Sequence, residues 1–208
     1  MATLLDLQTD IASDLTRNDL TDQIARAVRR AVKHYERKRF QFNVTRLKTF
    51  STVAGQSIYT AADLAEIPNI IRVENLFLYD GAISELDRYE PDEFEWLAGG
   101  STGPGRPCAF TYVDQAIQLW PTPNRVWTLR PHMHFKFPPM VLPNDSTPWC
   151  NDGEELIRTH AKLLLYTEVL EDAEGAARMQ SMIQALKDGL DYETSARTAT
   201  GRIRGTDF

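Results

Sequence analysis

Apolar positions along the chain change period three times, and the changes separate helical ends from a β-textured middle. Leu4, Leu5, Leu7, Ile11 and Leu15 fall at loosely helical spacing, which predicts a first short helix over residues 3–15. Leu20, Ile24, Ala27, Val28, Ala31, Val32 and Tyr35 recur every three or four residues and make one apolar stripe on a second helix. Asp19 or Thr21 can cap it by accepting from orphan N–H groups, and the two helices would form an αα-hairpin. Phe40 and Phe42 then alternate with polar neighbours, so the period turns from helical to extended near Arg39.

From Val44 to about Pro143 short runs of Val, Ile, Thr, Tyr, Phe and Trp alternate with Gly, Pro, Asn and Asp, the punctuation of a β-sheet. Residues 45–52 and 56–60 flank Val53-Ala54-Gly55 and predict a hairpin. Residues 70–79 alternate well, with Ile71, Val73, Asn75, Phe77 and Tyr79 on one side, and Asp80-Gly81 turns the chain back into 82–86. Pro91 opens one or two helical turns through Leu97. Residues 109–113 and 116–120 form a second hairpin about Asp114-Gln115, and 126–137 is a long strand interrupted at Pro131.

Helical spacing returns after Pro148. Asp152, with Glu155 three residues on, predicts a capping box for a helix over 154–170. Glu171-Asp172 breaks it, and 173–192 follows with Ala176, Met179, Ile183, Leu186 and Leu190 as its packing stripe. The expected fold is α+β: a helical bundle from both chain ends, an inserted small antiparallel β-domain, and an extended C-terminal arm. The corresponding divisions are 1–43 and 149–193 for the bundle, 44–148 for the β-rich insert and 194–208 for the arm. The arm has no periodicity, is rich in small residues, and on its own cannot bury enough surface to order itself.

A chain of 208 residues with 42% hydrophobic and 25% charged residues has the composition of an ordinary globular protein, large enough for one or two cores. No run of about 18 apolar residues is present, so no membrane span is expected, and the acidic start lacks the basic flank of a signal peptide. Cys108 and Cys150 are isolated and read as free thiols. The net charge of −6 argues against a protein whose main task is gripping phosphates. Charge is uneven, however. Between Arg17 and Lys48 ten Arg or Lys stand against three acids. Arg26, Arg29, Arg30 and Lys33 share the polar side of the second helix. That side is either a solvated face or a surface for an acidic partner, protein or DNA. A nucleic-acid-binding module using Thr21 to Arg39 is the alternative reading.

Chemistry has little to stand on. His132 and His134 are two apart on a strand but lack a third ligand at suitable spacing. His34 and His160 have no convincing carboxylate or nucleophile partner. The Gly99–Gly105 loop lacks the Lys-Ser/Thr of a P-loop, and the acid pairs Asp92/Glu93 and Glu154/Glu155 sit at helix starts. No enzyme and no cofactor is expected.

Several pieces, in order, resemble one family. Tyr35-Glu36-Arg37-Lys38-Arg39-Phe40-Gln41-Phe42-Asn43 is similar to the Tyr-Glu-x-x-Arg-Phe-x-Phe-Asn signature of the head-to-tail adaptor proteins of tailed bacteriophages. The stretch from Thr49 to Tyr59 resembles that family's next element, Gly105-Arg106-Pro107-Cys108-Ala109-Phe110 its Gly-x-Pro step, and Ile117 to Pro123 its strand ending in Pro-x-Pro. Glu155-Leu156-Ile157 opens its C-terminal helices. Where members usually carry a Leu-Pro pair after Tyr59, this chain has Thr60-Ala61-Ala62-Asp63. The resemblance implies a non-enzymatic virion protein of the neck, assembled in the host cytoplasm. It would form a homo-oligomeric ring, usually of twelve copies, beneath the portal protein. The ring would extend a channel that DNA passes without sequence-specific binding, and the β-domain would face tail nozzle or fibre proteins. On this reading the arm binds the portal, with Ile203 and Phe208 as apolar anchors and Arg197, Arg202 and Arg204 meeting carboxylates. Arg26, Arg29, Arg30 and Lys33 would then face the adjacent subunit in preference to DNA.

Overall fold

The computed structural model describes residues 1–100 and 103–198. Backbone packing divides the described residues into two compact units: 1–42 together with 137–198, and Asn43–Lys136.

In the first unit α1 (Leu4–Asp14) and α2 (Thr21–Tyr35) come from the N-terminal part, α4 (Glu154–Glu168) and α5 (Ala173–Thr198) from the C-terminal part. The α1 start is a full capping box: Thr3 Oγ1 accepts from Asp6 N–H and the Asp6 carboxylate accepts from Thr3 N–H. Leu7, Ile11, Ile24, Val28, Ala31 and Tyr35 are buried against Ile157, Ala161 and Leu165 of α4. Helix α4 is the hub, touching α1, α2 and α5. At the end of α2 the chain makes a 3-10 turn, Gln41–Asn43, where an extended start is predicted. The reason is aromatic packing: Phe40 and Phe42 stack at 5.3 Å, and both meet the buried Trp149 ring edge to face.

Two predicted caps are not used. Asp19 is held by Arg17, and Leu20 takes the N-cap position of α2 with no side-chain cap. A 3-10 turn, Pro148–Cys150, delivers the chain to Gly153, which takes the N-cap position of α4 in place of Asp152. Asp172 does cap: its Oδ1 accepts from Glu174 and Gly175 N–H at 3.1 and 3.0 Å and starts α5.

Among the described residues the second unit is an eight-stranded mixed sheet with one α-helix and a 3-10 turn, Ile67–Asn69. Its strands are β1 (Val44–Thr45), β2 (Phe50–Ser51), β3 (Ile58–Tyr59), β4 (Ile70–Asp80), β5 (Ala82–Arg88), β6 (Ala109–Val113), β7 (Ala116–Trp120) and β8 (Thr128–Phe135). The order is β1-β8-β4-β5-β6-β7-β3, with β2 also on β8. The hairpins β4–β5 and β6–β7 form about their predicted turns, and Gly81 supplies the positive φ of +70° that the first needs. The hairpin predicted from 45–52 and 56–60 does not form: β2 pairs with β8 and β3 with β7. On β8, β1 pairs at His134 and Met133 and β2 at Leu129 and Thr128, so the two short strands leave Pro131, which has no N–H, between them.

These findings correct the expected architecture. The chain is α+β, but it is not a helical bundle carrying a small antiparallel insert. The β-part is a curled, mixed sheet with its own core of Phe50, Tyr59, Val73, Leu76, Phe110 and Leu129. Strands β5 and β6 run parallel because α3 (Pro91–Ala98) lies between them, and a parallel pair needs such a crossover. In the helical unit α5 packs along α4, so the contacts run through one hub helix. The arm predicted from Thr194 begins inside a helix, since α5 continues to Thr198.

Candidate assembly surface

Helix α2 turns its apolar stripe inward and so must present Arg26, Arg29, Arg30 and Lys33 outward, and all four are exposed. The tertiary structure sorts them into two rows. Arg26 and Arg30, one turn apart, line a groove of about 410 Å³ between α2 and α4 with Gln23, Leu164, Glu168 and Val169. Arg30 is held there as a fork by the Glu168 carboxylate, with contacts of 2.5 and 2.7 Å. Each raises or lowers its partner's pKa toward the charged form, chiefly through these hydrogen bonds. Both ends are exposed, so the pair fixes a geometry more than it stabilises the fold.

Arg29 and Lys33 line a different groove, of about 260 Å³. Its walls are Val28 and Val32 on one side and the Phe137–Val141 segment on the other, with Trp149 among the lining residues. It is predominantly apolar. Arg26, Arg29 and Lys33 have no ion-pair partner among the described residues, so the basic side predicted from sequence is available as charge. Sequence reading missed the wall opposite, because the run Phe137-Pro138-Pro139 looks like the end of a strand.

Of the arm, Arg197 lies exposed near the end of α5; Arg202, Ile203, Arg204 and Phe208 fall outside the described residues. The approach to the arm is anchored. Thr194 is buried, its Oγ1 accepts from Gln41 N–H at 3.1 Å, and Lys38 pairs with Asp191 at 2.6 Å.

Under α2 a small aromatic cluster holds the other titratable groups. Tyr35 Oη and His160 Nδ1 are 2.8 Å apart, and the His34 ring lies 4.8 Å from His160. Burial pushes His160 down to about 4, helped by His34 and Arg30. Asp14 at the end of α1 accepts from Arg158 (2.7 and 2.8 Å) and Lys162 (2.8 Å) of α4, and Arg158 above all lowers its pKa.

The second unit holds two of the histidines singled out in the sequence. His132 is half-buried against Phe77, with ring centroids 4.7 Å apart, and desolvation lowers its pKa. His134 is buried. Among the described residues no three of His, Cys, Asp and Glu converge as a metal site. Cys108 is exposed and Cys150 buried, and both are free. No helix among the described residues is long and apolar enough to cross a membrane.

The structure presents two packed cores, two grooves along α2 and a basic face on that helix. Residues 2–205 match the SU10 adaptor protein family, and the chain belongs to it. This is a family of bacteriophage head-to-tail adaptors, structural components rather than enzymes. No curated protein matches the chain. The family signature noted above resolves into core: Tyr35, Phe40 and Asn43 are all buried.

Proposed function

We propose that this adaptor forms a ring, of twelve copies as the resemblance suggests, seated beneath the portal in the virion neck and continuing the DNA channel toward the tail. Family membership over residues 2–205 carries the reading. Assembly takes place in the host cytoplasm, and the sheet-bearing unit meets tail nozzle or fibre proteins. Arg26, Arg29 and Lys33 support a contact between neighbouring copies, because an uncompensated basic face on an acidic chain attracts another copy of that chain. A net charge of −6 also suits a wall that DNA slides past, since every phosphate contact adds a salt-dependent hold. Arg197 at the end of α5, with Arg202, Ile203, Arg204 and Phe208 beyond it in sequence, forms the portal-binding arm, which supplies apolar anchors and cations.

Mixing the protein with portal particles and following assembly by native mass tests this. The informative truncation ends at Thr198, which keeps Thr194 and its bond to Gln41. Multi-copy binding by the full chain and its loss on truncation is the expected result. Equal binding by both removes residues 199–208 from the interface. A monomer that leaves the portal alone but holds duplex DNA at physiological salt replaces the reading with the nucleic-acid module.

A further inference from the structure

The most exposed large aromatic side chain among the described residues is Trp96, at 85% of its full accessible surface. It sits on α3, whose eight residues divide cleanly. Phe94 is buried and Leu97 half-buried, so they hold the helix to the sheet. Asp92 and Glu93 lie one turn before Trp96 on its own face, at i−4 and i−3, and Glu95 is exposed beside it. None of these three acids has an ion-pair partner among the described residues. An indole left in water inside an acidic collar is costly, and tryptophan is among the commonest anchors of protein interfaces.

The groove bounded by Arg29 and Lys33 has the opposite character. Val28, Val32, Phe137, Pro138, Pro139 and Trp149 make an apolar slot of about 260 Å³, room for one large aromatic side chain. Two cations stand on its rim, one turn apart, and Glu36 is the single acid among the lining residues. We propose that Trp96 of one copy inserts into this groove of the next copy, with Asp92 and Glu93 meeting Arg29 and Lys33. Knob and hole are different sets of residues, so the contact is heterologous and repeats head to tail, as a ring requires. Arg29 and Lys33 also lie within reach of the indole face as cation–π partners. The inference rests on the ring reading and identifies the two surfaces that build the ring.

Native mass and sedimentation of the full chain, alone and with portal particles, test it with two variants. Trp96→Ala and the double variant Arg29→Glu/Lys33→Glu alter only exposed side chains, so both keep the fold. Each is expected to weaken copy–copy association on the order of tenfold or more. Mixing the two is the sharper test. Trp96→Ala retains a groove and the double variant retains a knob, so together they form one-to-one heterodimers and nothing larger. If wild type and Trp96→Ala assemble alike, or the mixture gives no heterodimer, the knob-and-hole contact is overturned while the ring stands. If wild type stays a single copy both alone and on the portal, the ring reading falls and the contact falls with it.

Discussion

A Cβ placed on Gly153 would stand 2.8 Å from the ring of Trp149, which is itself almost wholly buried. Gly153→Ala therefore has to displace an aromatic core residue, and it is expected to cost about 1–3 kcal/mol in a urea titration. Thr52 shows the same dependence on one atom. Its buried Oγ1 accepts from Trp127 N–H at 2.8 Å and donates to Arg125 C=O at 3.0 Å, extending the β2–β8 pairing by a side chain. Thr52→Val keeps the shape and orphans Trp127 N–H, so a loss of about 1–3 kcal/mol is expected by the same titration. His160 makes stability depend on pH. Its pKa is near 6.5 unfolded and about 4 folded. Below pH 6.5 the unfolded chain takes up a proton that the folded chain refuses, so stability is full above 6.5 and falls as pH drops toward 4. Denaturant midpoints between pH 7 and 4.5 should decline, and His160→Gln should flatten the decline. His132, also lowered by burial, accounts for a smaller slope that survives the substitution.

Among the elements, α5 shows what local pattern can and cannot reach. Its stripe of Met179, Ile183, Leu186 and Leu190 was legible from spacing. Its continuation to Thr198 was not, because Thr194 is held by a backbone N–H at Gln41, far off in sequence. A chain ending at Tyr192 lacks Thr194 and is expected to melt at a lower temperature than one ending at Thr198; calorimetry on the two truncations decides. The α1–α4 joint rests on Asp14 between Arg158 and Lys162. Asp14→Ala leaves the part-buried Lys162 without its acceptor and Arg158 with only its longer contacts to Asp10 and Glu154, and should cost about 1–2 kcal/mol, with the loss shrinking in high salt. Strand β4 gave a false face from alternation. Register shifts between Ile70 and Arg72 and between Val73 and Asn75 bring Ile70, Val73, Leu76 and Leu78 inside, and a bulge leaves no mark in an apolar/polar pattern.

For the molecule as a whole, the basic side of α2 was legible because an amphipathic helix with one buried stripe must expose the rest. Its division into an Arg26/Arg30 row facing Glu168 and an Arg29/Lys33 row on an apolar groove was not, since Glu168 and the Phe137–Val141 wall arrive from more than a hundred residues away. That division predicts different phenotypes. Arg30→Ala should leave copy–copy association in native mass unchanged, because its charge is already engaged within the chain. Arg29→Ala should weaken it measurably.

Part of the local order was thus contained in the sequence, although the caps of α2 and α4 and the hairpin about Val53-Ala54-Gly55 were not. Helical periods, the turns at Asp80-Gly81 and Asp114-Gln115, the charge asymmetry and the family signature all depend on residues a few positions apart. Tertiary structure alone decided which strands pair, that β5 and β6 run parallel across α3, and that α4 is the hub of the helical unit. It also decided that a proline-rich wall turns half of a basic helix face into a groove. Those outcomes depend on which distant surfaces exclude water together, and burial between distant segments has no period along the chain.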